Sequence, residues 1–142
     1  MGQGDADTIS VIDLTQKPAR VIDTVTVGQT PEGLTCSPDG KFLAVTVMNR
    51  SNKPSSSPFY AAQGDVQVWR VEGKKLVKAG EAKVGNWSQG AVFSNDNRTL
   101  LVQNMVQKDL QVFEVSPTGA LKDTGVRIKL KAGPAGIRTA AR

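Results

Sequence analysis

The feature that most constrains the fold of this chain is an internal repeat. Residues 31–49 align without gaps with residues 88–106, and matching positions carry Gly, Ser, Asp and Met in both copies. Each copy predicts a strand, a polar turn (Ser37-Pro-Asp-Gly40 or Ser94-Asn-Asp-Asn97) and a second strand. A fixed period of several tens of residues is typical of proteins built from stacked supersecondary units. The chain is therefore expected to be a repeat protein.

A second block of β-prone residues occurs three times, at 8–14, 65–71 and 109–115. Each copy is followed by a turn and another β-rich stretch, at 21–27, 76–84 and 121–130. If the strands of one unit are lettered A to D, the order along the chain is CD, ABCD, ABCD, A. Residues 42–48 are apolar at nearly every position, as in sheets that are covered on both faces. These patterns predict an all-β fold, a partial β-propeller of four-stranded antiparallel meander blades, with α-helix essentially absent.

The repeat also predicts where the blades begin and end. The expected units are the outer strands of one blade (1–30), a second blade (31–87), a third blade (88–132) and the first strand of a further blade (133–142). A sandwich of short strands is the rival fold, but it does not predict near-identical units with one internal order. Because propellers need at least four blades to close, we expect a partner at the open edges. That partner would be the remainder of a parent propeller or another copy of this chain.

Three segments carry a resemblance to a known family. Asp7-Thr-Ile-Ser-Val-Ile-Asp13, Gly28-Gln-Thr-Pro-Glu-Gly33 and Ser37-Pro-Asp-Gly-Lys41 resemble the YVTN-type repeat of lactonase-like β-propellers. The resemblance is good over 7–49 and looser over 65–137. It implies a seven-bladed ring from a bacterial source, of which about two and a half blades are present. Some relatives hydrolyse or cyclise lactones and others are binding modules, so the resemblance implies a fold more than a function.

The formal net charge of +5 does not indicate a nucleic-acid partner. Residues 1–119 contain as many acidic as basic side chains, so the excess lies in residues 120–142. There Arg127, Lys129 and Lys131 alternate with apolar residues, which predicts three cations on one face of a strand. A solvated outer strand is the preferred interpretation, because no aromatic residues interleave with these cations. A phosphate-binding stripe is the alternative.

Several kinds of chemistry are not expected in this segment. The chain has no His, so a Ser-His-Asp triad and a His-ligated metal site are excluded within it. No phosphate-binding or dinucleotide motif occurs, so we predict no cofactor, no metal and no catalytic residue here. The one cysteine, Cys36, lies in an apolar run and is expected to be a small buried residue. No membrane-spanning run or leader peptide is visible, and the compartment is left open.

The most informative stretch is a long B-to-C loop. The loop from Met48 to Asp65 spans 17 positions, whereas its counterpart from Met105 to Asp109 spans four. The inserted residues 49–63 are Ser- and Pro-rich at first and then apolar, which indicates either a functional loop or a tolerated flexible insertion. We expect it to be mobile or protease-sensitive. In a meander the B-to-C and D-to-A loops share one face, so a ligand is expected on the face that carries the 49–64 loop.

The candidate ligand-binding residues on that face are Glu32, Arg50, Lys53, Phe59, Tyr60, Trp87 and Gln89. The two adjacent aromatic residues of the loop would form an apolar lid, and its two basic residues would meet an anionic group. Glu32 would be a base or cation ligand, or simply a solvated acid beside a turn. Trp87 would contact ligand or cap the core of a blade.

The sequence is thus consistent with three hypotheses about function. The preferred one is a binding or interaction scaffold. The first alternative is a segment of a lactonase or cycloisomerase that acts on a small carboxylated or sugar lactone, with acid and base groups supplied by other blades. The second alternative is a structural repeat of the cell surface.

Overall fold

The computed structural model describes residues 7–139. Ten β-strands and no α-helix occur in this range, which confirms the predicted all-β class. The strands are β1 (Asp7–Asp13), β2 (Arg20–Gly28), β3 (Pro31–Cys36), β4 (Phe42–Val47), β5 (Gly64–Glu72), β6 (Lys75–Val84), β7 (Ser88–Phe93), β8 (Thr99–Asn104), β9 (Asp109–Val115) and β10 (Leu121–Lys129). With no helix in residues 7–139, no helical membrane span is present in that range.

The strands form three antiparallel sheets in which neighbours in space are neighbours in sequence. The first sheet holds β1 and β2, the second holds β3 to β6, and the third holds β7 to β10. The second and third sheets are therefore four-stranded meanders, as the repeat predicts. Hydrophobic contacts join the first sheet to the second and the second to the third. The result is a partial, propeller-like all-β fold.

The turns between the first and second strands of each four-stranded sheet are built identically. In the second sheet, the Ser37 hydroxyl donates to Asp39 Oδ1 (2.7 Å) and accepts from the Phe42 backbone N–H (2.9 Å). In the third sheet, Ser94 bonds Asp96 and Thr99 in the same way. The serine hydroxyl holds the pKa of each aspartate below its usual value. The Ser-x-Asp pattern is therefore turn chemistry rather than a site.

Apolar side chains on both faces of the second sheet explain its continuous hydrophobic strands. One face contributes Ala44, Val66 and Val68 to a core shared with Phe93 and Phe113 of the third sheet. The opposite face contributes Leu43, Val45, Val47 and Trp69 to a smaller core with Val27 of the first sheet. Every residue of β4 is buried, since consecutive side chains meet different neighbouring sheets. This sandwiched position is what the apolar run at 42–48 indicates.

A glycine allows the second and third sheets to approach closely at their inner strands. A Cβ placed on Gly33 of β3 would lie 2.5 Å from the Cα of Gly90 and 2.7 Å from the carbonyl oxygen of Gln89. Both obstructing atoms belong to backbone of β7, so neither can rotate away. Only glycine fits at position 33 at this spacing.

A glutamine on the third strand of each complete sheet links it to the sheet before. Gln67 Nε2 donates to the Val27 carbonyl (2.7 Å), and Gln111 Nε2 donates to the Lys83 carbonyl (3.2 Å). Each amide also bonds a carboxylate of its own outer strand, Glu81 or Asp123. Two further contacts hold the first sheet: Lys74 pairs with Asp13 (2.6 Å), and the Leu76 N–H donates to Asp23 (3.1 Å).

Two expectations about the last part of the chain are modified. Residues 131–139 form no strand, because no neighbouring strand among the described residues pairs with them. Ile137 nevertheless lies beside Gly90, its methyl 3.6 Å from where a Cβ of that glycine would be, so the segment covers β7. Whether residues 133–142 begin a further blade stays a prediction, and residues 140–142 lie outside the described range.

The expected row of three cations is also shorter than predicted. Lys131 lies beyond the end of β10. Arg127 pairs with Asp123 (2.7 Å) and lowers the pKa of that carboxyl to about 2, while Lys129 pairs with Asp109 (2.8 Å). Because neighbouring carboxylates neutralise two of the cations, this strand fits the solvated interpretation better than a phosphate-binding stripe.

Cys36 is exposed, so the prediction that it is buried is wrong. It ends β3, a strand whose residues Glu32, Leu34 and Cys36 are exposed while the alternate positions are half-buried. β3 therefore presents one side to solvent, and the thiol lies on that side.

Candidate functional site

The two ends of the long loop meet at one buried carboxylate. Asp65, at the start of β5, pairs with Lys83 (2.6 Å) and accepts a hydrogen bond from the Asn49 amide. Asp109 occupies the same place in the third sheet, where it pairs with Lys129 and accepts from Asn104 (2.9 Å). Both aspartate side chains are only 4% exposed, so each loop ends at a fixed polar anchor.

The long loop itself is a series of tight turns. Backbone bonds close turns from Met48 to Ser51 (2.9 Å), from Arg50 to Lys53 (3.0 Å) and from Ser57 to Tyr60 (3.0 Å). Asn49 and Arg50 adopt left-handed conformations, with φ of 46° and 69°, which redirect the chain as it leaves β4. The mobility predicted for residues 49–63 stays a prediction.

Two hydrogen bonds dock the long loop against the connection between β6 and β7. The Trp87 backbone N–H donates to Ser51 Oγ (2.9 Å), and Asn86 Nδ2 donates to the Tyr60 hydroxyl (3.1 Å). Ser51 is 2% exposed, so the first of these contacts is shielded from water. The loop is therefore held at both ends of its exposed middle part.

Asn86 joins a third loop to this contact. The Gln107 side chain accepts from the Asn86 backbone N–H (2.9 Å) and donates to the Asn86 Oδ1 (2.5 Å). The Val106 backbone N–H also donates to the Asn86 carbonyl (3.4 Å). Asn86 thus connects the long loop of the second sheet with the short loop of the third.

Three large aromatic residues next to these contacts are open to water: Tyr60, which bonds Asn86, and Phe59 and Trp87, which adjoin Tyr60 and Asn86 in the chain. Phe59 is 63% exposed, Tyr60 38% and Trp87 37%. We call these three residues the aromatic surface. Trp87 has a φ of 53°, an unusual value for a large residue, which directs the backbone N–H of this residue to Ser51. Trp87 is 37% exposed, and both interpretations of it, a ligand contact and a cap of the blade core, stay predictions.

The remaining candidate residues are more scattered than the sequence suggests. Arg50 is exposed and donates through Nε to Gln29 Oε1 (2.5 Å), and Lys53 is exposed on the long loop. Glu32 lines a groove of about 290 Å³ between the first and second sheets. Gln89 is half-buried and lines a different groove beside β7. The structure therefore places Tyr60 and Trp87 together through Asn86, while Glu32 and Gln89 lie on the inner strands.

Sequence reasoning missed Ser51 and Gln107, the two residues that fix this arrangement. No motif marks either one, because their partners in the connection between β6 and β7 are 36 and 21 positions away. Within residues 7–139, no group of three potential His, Cys, Asp or Glu ligands is placed to hold a metal ion. What the arrangement offers chemically is an exposed aromatic area beside the amides of Asn86 and Gln107, on a loop that also carries Arg50 and Lys53.

Comparison with known proteins shows likeness at the level of the fold. No family profile and no curated protein sequence matches this chain. Among solved structures, it resembles a candidate 6-phosphogluconolactonase from Bacteroides fragilis, with a TM-score of 0.61 and 22% identity over 78% of this chain. A second such candidate, from Bacteroides uniformis, gives 0.62 and 20% over 78%. A protein of unknown function from Desulfotomaculum acetoxidans gives 0.62 and 15% over 91%.

The chain spans only part of each of these structures. It covers 30% and 32% of the two lactonase candidates and 43% of the Desulfotomaculum protein. The structural neighbours thus agree with the lactonase-like, propeller-type resemblance of the sequence. At this level of identity the likeness concerns the fold alone.

Proposed function

We propose that this chain is a propeller segment that acts as a binding scaffold, with its site at the aromatic surface on the face of the 49–64 loop. The observation that carries the proposal is the docking of Ser51 and Tyr60 against Asn86 and Trp87. A flexible insertion without a function would not need hydrogen bonds to the connection between β6 and β7. These bonds keep aromatic rings exposed to water, which is unfavourable for apolar surface. A bound molecule would cover that surface.

The surroundings of the aromatic surface suggest what the occupant is like. Arg50 and Lys53 lie on the same loop and carry positive charge into solvent. Interfaces that bind well place aromatic anchors at the centre and charged groups at the rim. We therefore propose an occupant with an apolar or aromatic centre and a negatively charged group beside it.

A titration with 4-phenylbutyrate, which combines a ring with a carboxylate, tests this site. We expect saturable shifts of backbone amide resonances in residues 49–63 and 86–89, because the ring would cover the aromatic surface. The double variant Phe59→Ser/Tyr60→Ser should weaken binding about tenfold or more, the equivalent of one well-packed aromatic contact. Shifts confined to the turns at 38–40 and 95–97 would place the site on the opposite face and contradict the proposal.

A second candidate function is a segment of a lactone-hydrolysing enzyme. The structural likeness to two 6-phosphogluconolactonase candidates favours it. In that case Glu32 is the carboxylate that would act as a base, with further groups supplied from outside residues 7–139. Saturable shifts of the amide resonances of residues 31–34 by glucono-δ-lactone, lost in Glu32→Gln, would favour the enzyme over the scaffold.

We also propose that the open faces of the first and third sheets are covered by another polypeptide, either the rest of a parent propeller or a second copy. Leu101, Leu110 and Val112 of the third sheet are half-buried, whereas Ala44, Val66 and Val68, at the same positions of the second sheet, are fully buried. These residues of the second sheet are buried because the third sheet covers them, whereas no described sheet covers the same face of the third.

The association should be visible in solution. Sedimentation of the purified chain at micromolar concentration is expected to show dimers or larger species, because the uncovered apolar faces favour stacking. Replacing Leu101 and Leu110 by Ser should shift the distribution toward monomer. A monodisperse 15.1 kDa monomer of the unaltered chain would contradict the proposal.

A further inference from the structure

A groove of about 460 Å³ lies beside the inner strands, away from the aromatic surface. It is bounded by β3, by β7 and by residues 136–139, and Leu34, Cys36, Gln103 and Ile137 are among its lining residues. A volume of this size is within the range of small-molecule sites, which combine apolar walls with a few polar groups. The walls combine apolar side chains and glycine backbone with polar side chains such as those of Gln89, Asn95 and Gln103.

One buried polar side chain in this groove has an unmatched acceptor. Gln103 on β8 is 2% exposed, and its Oε1 has no hydrogen-bond partner among residues 7–139. Buried amide oxygens almost always accept a hydrogen bond, because burial removes their bonds to water and an unpaired oxygen gains none in exchange. The oxygen therefore marks a place where a donor is expected.

The internal repeat shows that a polar side chain at this position can find a hydrogen-bond partner within the chain. Thr46 is the counterpart of Gln103 in the second sheet, and its hydroxyl accepts a hydrogen bond from the Gly33 N–H (2.9 Å). Gln103 has a longer side chain, and its Oε1 lies 2.9 Å from where a Cβ of Gly90 would be. The absence of a side chain at Gly90 leaves room for the amide at the wall of the groove.

We infer that this groove is a binding site for a small molecule that contains an amide, either a primary carboxamide or a lactam. A glutamine side chain presents an acceptor and a donor in one plane, and another amide pairs with both. Leu34 and Ile137 would contact the carbon skeleton. Among the described lining residues no side chain is acidic and Arg138 is the one charged group, which disfavours a cationic ligand.

The test uses 2-pyrrolidinone as the lactam probe and N-methyl-2-pyrrolidinone as its matched control, added to the full 142-residue chain. The control has the same ring and carbonyl but no N–H to give to Gln103 Oε1. We expect the lactam to shift the side-chain amide resonances of Gln103 saturably, and the control to bind about tenfold more weakly, the effect of one hydrogen bond. Equal responses to both probes, or no saturable shift, would overturn the inference.

Two variants distinguish a loss of lactam binding from a loss of folding. Gln103→Thr places at this position the residue that the second sheet already uses, so the sheet should keep its spectrum while lactam binding is lost. Gly90→Ala pushes a methyl against the Gln103 amide and should also abolish binding. Labelling of the exposed Cys36 by a maleimide gives a second readout, since the lactam should slow it in the unaltered chain only. Retained binding in Gln103→Thr would contradict the assignment even if Gly90→Ala failed to fold.

Discussion

Replacing Phe113 with alanine is expected to lower the free energy of unfolding by about 4 kcal/mol, as found for large-to-small changes in protein cores. Phe113 is fully buried in β9 and belongs to the core that the second and third sheets share. Its removal would leave a cavity between two rigid sheets that cannot collapse onto it. Denaturant unfolding followed by circular dichroism measures the change as a lower midpoint.

Phe59→Ala is the matched control for this prediction. Phe59 is 63% exposed, so the same chemical change should alter stability by less than about 0.5 kcal/mol. A typical domain has only about 5–15 kcal/mol of stability, so the loss in Phe113→Ala would be a large fraction of the total. Comparable losses in the two variants would mean that the core is not where the second and third sheets meet.

Gly33→Ala is the second change with a large expected effect, about 3 kcal/mol of destabilisation, at the upper end of ordinary overpacking. The added methyl would lie 2.5 Å from the Cα of Gly90, so the second and third sheets would have to separate. Thermal unfolding is the direct measurement, and the loss should appear as a lower midpoint temperature for both complete sheets together.

The repeat provides an internal control for this glycine. Gly136 stands at the matching position of the next Pro-x-Gly segment, and a Cβ there would meet no atom within 4 Å. Gly136→Ala is therefore expected to change stability by less than about 0.5 kcal/mol. If both glycines tolerate alanine equally, the close approach of β3 and β7 is not a constraint on the fold.

The strands were predictable from sequence because the repeat and its turns act locally. The stretch expected at 76–84 corresponds to β6 (Lys75–Val84), and the stretch at 121–130 to β10 (Leu121–Lys129). Ser37 and Asp39 close their turn by hydrogen bonds within five residues, so the pattern Ser-Pro-Asp-Gly determines the geometry without tertiary context. Local chemistry of this kind is visible in one sequence.

The surroundings of the candidate sites were less predictable, because they depend on contacts between sheets. Cys36 lies between Leu34 and Pro38, and the sequence pattern does not show which face of β3 is left open. The unmatched amide of Gln103 likewise appears only once Thr46 and Gln103 are compared in space. Ser51 meets Trp87 across 36 positions, a pairing that no local pattern encodes.

The contacts that hold the first sheet have a consequence for its behaviour in acid. Asp13 and Asp23 accept hydrogen bonds from Lys74 and Leu76 of the second sheet, and the Lys74 ammonium lowers the pKa of Asp13. A carboxyl whose pKa is lowered by folding adds stability above its unfolded pKa of about 4, and this stability is lost as the pH falls below that value. The second and third sheets share the larger apolar core, whereas the first sheet combines a smaller apolar core with these acid-sensitive contacts. Acidification should therefore release β1 and β2 while the two complete sheets stay folded, an intermediate that amide exchange in β1 and β2 would report.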